Sequence, residues 1–566
     1  LSVFLTGALL TILLGFTNNS YLSWAIGVAT LALFVYLVVI DSDFEKRRKK
    51  VGVLIKINEE ALKRRSGDWK QFVDTGSEFS NHSHPFSGDL DLFGHGSLFQ
   101  WTSVARTFLG RKRLAAMLSE PLKEIDSITQ RQEAILELSK KLVWRQRFQA
   151  EAESVKEKAK NIEALSAWSH IQYGFYELTW VKGLVYLLPL TTAVLLVGSI
   201  FLKSIPSFLP ITGIFLQILL LRVKKNEHKE ALDTIYPYKK TLATYEQLLM
   251  LLEEEGFQAE ALDKLKASLE TDSGQKASRQ IHKLGKIVDG ISNRMNAMYL
   301  ILDVLLLWDF HLMIALEKWK VETGHLMVHW IEVIAEIEAL NSLSVIAYDH
   351  STWCLPRFEK SGGVVSQELG HPLLGNGRKS NPLILQQAST LLITGSNMSG
   401  KSTLLRTVGI NLVLAYTGTV VCAKSFSCGM MDIFTCMRVQ DDLEQSISSF
   451  YAELLRIKQM VSLSKEKANV FFLLDEVFKG TNSEDRHQGA KILIGQLNRQ
   501  GATGLVSTHD LELGAMEAAT QGLVKNFHFR ETYEDNQIHF DYVLRPGIST
   551  TKNAMYLIKM AGIDVD

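Results

Sequence analysis

The sequence predicts a multi-domain protein with transmembrane helical hairpins, an all-α core and lever region, and a C-terminal α/β domain built around a phosphate-binding loop. Three observations support this prediction. Pairs of apolar runs occur at the N-terminus and again near residue 200, long helical patterns fill the middle, and short apolar runs alternate with helices towards the C-terminus. Acidic and basic side chains balance at 61 each, so the net charge neither indicates nor excludes a nucleic-acid partner.

The first element is a pair of apolar runs at residues 1–16 and 21–40, which contain no charged side chain. The second run is long enough to cross a bilayer. A basic cluster at residues 46–50 follows it, and basic residues favour the cytoplasmic side. We therefore predict a transmembrane hairpin at residues 1–45. A cleaved signal peptide is the alternative for the first run, and buried core helices are the alternative for the pair.

A second apolar pair, residues 183–202 and 205–221, predicts another hairpin at residues 183–222, and a basic cluster at 222–225 follows it. Both hairpins therefore return to the same side. We expect a multi-pass protein of a membrane, in bacteria the inner membrane, with the middle and the C-terminal domain in the cytoplasm. Buried core helices are again the alternative.

Helical segments are predicted on both sides of the second hairpin, a core-like region at residues 46–182 and lever helices at 223–343. Leucines at helical spacing make residues 226–255 a long amphipathic element. Pro237 should kink this element, and Gly256 should end it.

Residues 298–316 are very apolar, but Asp303 and Asp309 interrupt them. Because a carboxylate in the middle of a bilayer is costly, a buried core helix is favoured over a fifth membrane span. Residues 324–343 also have one apolar helical face. Long helices leading into the next domain suggest levers.

From residue 344 onwards, short β-like runs alternate with helices and predict an α/β domain at residues 344–566 with a mainly parallel sheet. The predicted strands lie at residues 344–348, 391–393, 470–474 and 504–507. The four cysteines match no common zinc-binding spacing and are expected to be free thiols.

Residues 391–403, LLITGSNMSGKST, match the phosphate-loop pattern G-x-x-x-x-G-K-[ST] between a predicted strand and a predicted helix. Small residues let backbone N–H groups point at phosphate oxygens, and the following helix adds its positive end. Lys401 would reach the β- and γ-phosphates, and Ser402 would hold Mg²⁺. A chance glycine turn is the alternative. The predicted ATP-binding residues of the loop are Gly395, Ser396, Asn397, Met398, Ser399, Gly400, Lys401, Ser402 and Thr403.

A second apolar run, VFFLLDE at residues 470–476, ends in two carboxylates. Asp475 fits the residue that holds Mg²⁺ together with Ser402, and Glu476 fits the base that orients or deprotonates the attacking water. Downstream, residues 505–509 form another short run that ends in His509, which we expect to contact the γ-phosphate. Glu476, His509 and Lys401 are therefore the candidate catalytic residues.

These motifs together resemble the ATPase domain of the MutS family. The resemblance is specific over residues 345–566 and diffuse over 85–345. The residues that carry it are TGSNMSGKST, Asp441-Asp442-Leu443, Ser449-Phe450 with Glu453, LLDE with Gly480-Thr481, Ser507-Thr508-His509, Ser549 in GISTTKNAMYLIKMAGI, Ala561-Gly562, and the N-terminal blocks DLDLFG, SLF and RQ.

The resemblance implies an ABC-type ATPase that uses ATP and Mg²⁺ and works as a homodimer, with each site completed by residues 446–453 of the partner. Ser448 and Ser449 stand where the family presents a hydroxyl to the other subunit's γ-phosphate. Ser446 and Ile447 depart from the family's usual glycine and arginine, which leaves the contact between subunits less well supported than the rest of the site. Binding of mismatched or structured DNA is also implied.

The sequence has other departures from the mismatch-repair pattern. No mismatch-recognition domain with a Phe-x-Glu motif is found, and hairpins take up sequence where such proteins carry DNA-sensing domains. We therefore expect a membrane-anchored, MutS-related ATPase in which ATP drives conformational change. The alternatives are an ATP-switched membrane scaffold and a transporter-like machine, both acting on protein partners without DNA.

Overall fold

The structure is a computed structural model that describes residues 5–7, 11–12, 20–81, 83–155, 159–201, 205–291, 297–360, 362–438, 449–467, 469–534 and 537–549. The chain is helical up to residue 349 and then forms two β-sheets with helices between their strands. This confirms the predicted change from a helical region to an α/β domain. The helices before the sheets are α1 (Ser20–Ser66), α2 (Leu98–Thr102), α3 (Phe108–Ser119), α4 (Ile125–Lys140), α5 (Leu142–Ala152), α6 (Ala159–His170), α7 (Thr179–Phe201), α8 (Phe208–Val223), α9 (Lys225–Ile235), α10 (Lys239–Glu254), α11 (Glu260–Ala267), α12 (Ala277–Ile291), α13 (Ala297–Leu306), α14 (Trp308–Thr323) and α15 (Met327–Asp349).

Within the part of the chain that the structure describes, two helices are long and apolar enough to cross a bilayer, Trp24–Ser66 within α1 and Thr179–Phe201. Helix α8 is apolar but shorter, and α13 with the helix after it would count as a third span if the bent pair were one element. Helix α1 continues without a break past residue 45, where the sequence suggested a boundary. Of the first apolar run, only residues 5–7 and 11–12 are described, and they are helical.

The sequence predicted one buried core helix over residues 298–316, and this prediction is wrong for residues 298–306. The helix breaks at Leu307, which has a φ of 51°, and the two parts are bent by 75°. Helix α14 enters the core, where Phe310 and Met313 are fully buried. Helix α13 instead exposes most of its apolar side chains. Sequence hydropathy does not distinguish the two halves, because only the bend decides which half reaches the core.

The amphipathic element after the second hairpin behaves as predicted. Helix α9 ends at Ile235, a short turn contains Pro237, and α10 ends at Glu254, two residues before Gly256. The predicted strand at residues 344–348 is wrong, since these residues are the last turns of α15. The Ser344 hydroxyl donates to the Asn341 carbonyl at 2.8 Å, and both residues are buried. A short apolar run of this kind does not distinguish a strand from a helix packed on several sides.

The larger sheet has six strands in the order β10-β9-β4-β8-β7-β6 and is parallel except for the β9–β10 pair, as the sequence predicted for the mainly parallel sheet. A smaller four-stranded sheet, β1-β5-β2-β3, packs beside it. The strands are β1 (Arg357–Glu359), β2 (Val364–Leu369), β3 (Asn381–Leu385), β4 (Thr390–Thr394), β5 (Ser425–Gly429), β6 (Asp432–Cys436), β7 (Val470–Asp475), β8 (Thr503–Thr508), β9 (Val524–Glu534) and β10 (Gln537–Pro546). The helices among them are α16 (Lys401–Tyr416), α17 (Ser449–Glu466), α18 (Ser483–Arg499) and α19 (Met516–Ala519).

Helices cover both faces of the larger sheet, so its central strands are apolar throughout. Leu473 and Leu505 face the core that contains α16, whereas their neighbours Leu474 and Val506 face a second core with α17 and α18. This alternation follows from the two-residue period of a strand, and burial on both faces explains the unbroken apolar runs that preceded the motifs. The four cysteines are free thiols, as predicted.

Candidate nucleotide-binding site

The candidate site lies where β4, β8 and β7 end side by side. Thr394 at the end of β4 pairs with Thr508, and Ser507 pairs with Asp475 at the end of β7. In an open parallel sheet, ligands bind at the carboxyl ends of the strands. The sheet therefore brings the phosphate loop, Asp475, Glu476 and His509 to one edge, although they are far apart in sequence.

The loop between β4 and α16 has a backbone that only certain residues adopt easily. Gly395, Met398 and Gly400 have φ values of 149°, 67° and 103°. A Cβ atom on Gly400 would lie 3.1 Å from a ring carbon of Tyr542. Glycine at this position satisfies both the left-handed backbone and the close approach. Helix α16 begins directly after it, so its positive end points into the loop.

Lys401 is buried inside the loop. Its ammonium donates to the carbonyl oxygens of Gly395 and Ser396, both at 2.8 Å, and lies 3.9 Å from Glu476 Oε1. Burial lowers the pKa of Lys401, and the neighbouring carboxylates oppose that shift. A cation held at this place can neutralise phosphate oxygens that enter the loop.

The carboxylates that follow β7 have separate partners. Asp475 accepts a hydrogen bond from the Ser507 hydroxyl, whereas Glu476 accepts one from His509 Nε2. Lys479 Nζ lies 2.9 Å from the other Glu476 oxygen. The hydrogen bond from His509, helped by Lys479 and opposed by burial, lowers the pKa of Glu476 to about 2. Glu476 is therefore a carboxylate at neutral pH, as a base must be.

The loop residues line a cavity of about 420 Å³, and a phosphate chain fits its chemistry. The Ser399 hydroxyl is buried there, and among the described residues it has no hydrogen-bond partner. Ser402 and Glu476 also line the cavity, whereas Asp475 and His509 are not part of its lining. Two basic side chains, Arg378 and Lys379, also line the cavity.

Sequence reasoning missed Tyr542, which covers the loop from β10. The β9–β10 pairing shifts register between Phe540 and Leu544, and this irregularity contains Tyr542 with a φ of 56°. Asn381 fixes it from the smaller sheet, since its amide donates to the Tyr542 carbonyl at 3.0 Å and accepts from the Leu544 N–H at 2.8 Å. A half-exposed aromatic ring beside a phosphate loop can stack on a nucleobase. A register shift leaves no signal in one sequence.

A buried carboxylate that the sequence reasoning also missed lies behind the loop. Glu531 on β9 accepts a hydrogen bond from the Ser396 hydroxyl at 3.1 Å. Its charge also contributes to the environment of Lys401. Glu531 therefore helps to hold the first turn of the loop.

The predicted partner-facing segment is only partly described. Ser448, Ser446, Ile447 and the Asp441-Asp442-Leu443 motif lie outside the described residues, as does the closing segment after residue 549. Ser449 is the first residue of α17. Later in that helix, Glu453 accepts a hydrogen bond from the Phe478 N–H at 2.6 Å. This contact connects α17 to the loop that carries Glu476.

The N-terminal DLDLFG block packs against the same domain. The Asp89 carboxylate is buried and accepts hydrogen bonds from the Thr435 hydroxyl at 2.7 Å and from the N–H groups of Met437 and Arg438 at 3.1 and 2.9 Å. Asp91 pairs with Arg438 at 2.6 Å and with Arg406 on α16 at 3.3 Å. The helical region thus contacts both the phosphate-loop helix and the strand end that leads to the partner-facing segment.

Comparisons with known proteins agree with this geometry. Residues 391–565 match the family model of MutS domain V. The DNA mismatch repair protein MutS of Aquifex pyrophilus is 29% identical over 237 residues, which are 41% of this chain and 27% of that protein. MutS of Chloroflexus aurantiacus is 32% identical over 246 residues, 41% of this chain and 25% of that protein. MutS 2 of Haloarcula marismortui is 34% identical over 174 residues, 30% of this chain and 18% of that protein.

The matched part covers only about a quarter of the first two relatives, 27% and 25% of their lengths. The family-model match lies within the α/β domain, which also contains the phosphate loop, Asp475, Glu476 and His509. Residues 391–565 of this chain are therefore similar to MutS domain V.

Proposed function

We propose that this protein is an ATPase that uses Mg²⁺ and couples ATP binding and hydrolysis to movement of its helical region. The observation that supports this most directly is that the phosphate loop, Asp475, Glu476 and His509 meet at one sheet edge, where the loop and Glu476 line a cavity of about 420 Å³. Mg²⁺ would neutralise charge on the β- and γ-phosphates when bound.

Separate groups of residues would bind the phosphates, hold the metal ion and activate the attacking water. Residues 395–403 would hold the phosphates through backbone N–H groups, and Lys401 would exchange its two carbonyl partners for phosphate oxygens. Ser402 and Asp475 would hold the metal ion. Glu476 would orient the attacking water and accept its proton, and His509 would keep Glu476 in place and meet the γ-phosphate.

Three further parts of the proposal concern the whole protein. The chain would act as a homodimer in which Ser448 and Ser449 complete the partner's site. The exposed apolar residues of α1, α7 and α8 would anchor it in a membrane, with the ATPase domain on the cytoplasmic side. DNA binding is the third part, and it rests on relatives named as DNA mismatch repair proteins. An ATP-switched scaffold that acts on a protein partner is the competing possibility.

The ATPase proposal is tested by Lys401→Ala and Glu476→Ala. The first variant should lose nucleotide binding or hydrolysis, because the loop would lose the buried ammonium that meets the phosphates. The second should bind ATP and fail to hydrolyse it. Lys491→Ala, on the exposed side of α18, is the matched control and should keep full activity. Undiminished turnover in either site variant would contradict the assignment.

The DNA part is tested separately, with the full-length protein in detergent and with ADP or ATP. Duplex, mismatched and branched DNA are titrated across a salt series, because phosphate contacts produce a steep salt dependence. Binding that depends on nucleotide and on DNA structure would support a DNA-directed ATPase. Intact ATPase activity without DNA binding at low salt would favour the scaffold.

A further inference from the structure

Helix α13 has an unusual surface for a helix that the sequence assigns to a core. Its ten residues, AMYLILDVLL, contain one charged side chain. Six of its large apolar side chains are exposed, at fractions between 40% and 63%: Met298, Leu300, Ile301, Leu302, Leu305 and Leu306. Water-facing helices carry polar residues on their outer side, and exposed apolar patches indicate a surface that something else covers.

The polar groups of α13 face inward. Asp303 accepts a hydrogen bond from the Asp309 backbone N–H at 2.8 Å, and the Tyr299 hydroxyl donates to the Asp309 carboxylate at 2.5 Å. Tyr299 and Asp303 are one helical turn apart and so lie on the same face. The two carboxylates that would be costly in a bilayer, those of Asp303 and Asp309, are therefore hydrogen-bonded within the protein at the helix break.

The position of α13 also matters, because it lies against both helices of the second hairpin. It contacts α7 and α8, and the Gln217 amide of α8 lies 3.4 Å from the Leu305 carbonyl. The hairpin exposes apolar side chains too, with Val194 on α7 and Phe215 on α8 exposed by 62% and 63%. The exposed apolar residues of three helices thus form one region, defined here as the hairpin surface.

Aromatic side chains mark one boundary of the hairpin surface. Trp308, the first residue after the helix break, lies near His311, whose ring is 4.8 Å from that of Tyr186 on α7. Trp180 at the start of α7 is 59% exposed. Tryptophan and tyrosine favour the interface between the hydrocarbon region of a bilayer and water. The basic residues at 222–225 follow α8 and lie at the same end of the hairpin as the first residues of α7.

We propose that α13 lies in the lipid phase beside the α7–α8 hairpin, as a third and shorter membrane element that ends at Leu307. This inference rests on the proposed membrane association of the hairpin. At ten residues, α13 is about 15 Å long, roughly half of the hydrocarbon thickness. The partner that covers its apolar residues is thus the bilayer, and the bend at Leu307 leads α14 back into the core.

The test uses a bimane fluorophore on single cysteines in the full chain, reconstituted in vesicles with brominated lipid or with iodide in the buffer. The positions are Leu302→Cys on α13, Val194→Cys on α7, and Val143→Cys on α5, which is 80% exposed and away from the hairpin. Cys354, the half-buried native thiol, is replaced by serine, and the other three are buried. Retained ATPase activity shows that each variant is folded.

We expect brominated lipid to quench position 302 as strongly as position 194, and iodide to quench only position 143. Iodide quenching at 302 would overturn the proposal, since α13 would face water. Protection from both quenchers would also overturn it, because protein such as a second copy would cover the helix. If position 194 itself escapes lipid quenching, the proposed membrane association fails. If 194 is quenched by lipid and 302 is not, only the inference on α13 fails.

Discussion

At the scale of residues, Glu476 shows how neighbours set the chemistry of the site. Its carboxylate faces His509 and Lys479, and its backbone has a φ of 52°. The N–H of Glu476 donates to the Ser507 carbonyl at 3.0 Å. The strand end therefore holds the backbone, while His509 and Lys479 hold the side chain. Such preorganisation is what a base needs before substrate arrives.

The first prediction concerns the pH dependence of stability. Because the folded pKa of Glu476 is about 2, below its ordinary value, its ionised form contributes stability in full above that ordinary value. This contribution is lost as the pH falls towards 2. The difference in thermal midpoint between the wild type and Glu476→Gln should therefore shrink between about pH 5 and pH 3. Glu484→Gln, an exposed glutamate of α18, should show no such trend. A Glu476→Gln difference that stays constant over this range would contradict the prediction.

The second prediction concerns Tyr542, whose ring borders the loop. Loss of one aromatic stacking partner should weaken nucleotide binding by about five- to tenfold in Tyr542→Ala, which corresponds to roughly 1 kcal/mol. Calorimetric titration with ADP measures this. Tyr542→Phe keeps the ring and should bind nearly as tightly as the wild type. Equal affinity in the alanine variant would show that the nucleobase lies elsewhere.

At the scale of elements, helices and strands from distant parts of the chain hold each other in place. Glu338 on α15 is buried and accepts hydrogen bonds from the N–H groups of Arg106 and Thr107 at the start of α3, and its pKa is raised by burial. Helix α15 then runs to Asp349, and the Leu343 carbonyl accepts from the Thr419 hydroxyl at 3.0 Å. The helical region and the α/β domain therefore share one continuous core.

The third prediction tests the contact between the DLDLFG block and the strand end at β6. Asp89→Ala removes the acceptor of three hydrogen bonds and should lower ATP turnover by about tenfold, since unsatisfied buried donors cost about 1–3 kcal/mol. Binding of ADP should change little, because Asp89 does not line the cavity. Steady-state turnover and ADP titration measure the two effects. Asp272→Ala, in an exposed turn, is the control. Unchanged turnover in Asp89→Ala would mean that this contact only joins the domains.

At the scale of the whole molecule, the proposed dimer predicts that two inactive variants restore activity when they are mixed. A Lys401→Ala chain and a chain with Ser448→Ala and Ser449→Ala should each be inactive alone. When mixed, half of the dimers should contain one complete site, so turnover should recover to about a quarter of the wild-type rate. Activity measured against the mixing ratio tests this. No recovery, with dimers shown by light scattering, would mean that the serines do not act on the partner's site.

The sequence by itself determined which motifs lie at the ends of the buried strands. The loop at residues 391–403, Asp475 and Glu476 were predictable, because each is a short motif joined to an apolar run whose spacing shows a buried strand. His509 follows from the same logic one strand further on. Local composition also determined the break at Pro237 and the apolar hairpin, since both depend on neighbouring residues in the chain.

Only the tertiary structure decided which distant residues meet these motifs. Tyr542 reaches the loop because a register shift, held by Asn381 from another sheet, turns β10 towards Gly400. Asp89 contacts the end of β6, more than 300 residues away in sequence, without lining the cavity. Tertiary packing also decided that residues 344–348 are helical and that α13 is exposed. An apolar run indicates that its side chains avoid water, but it does not indicate what they pack against.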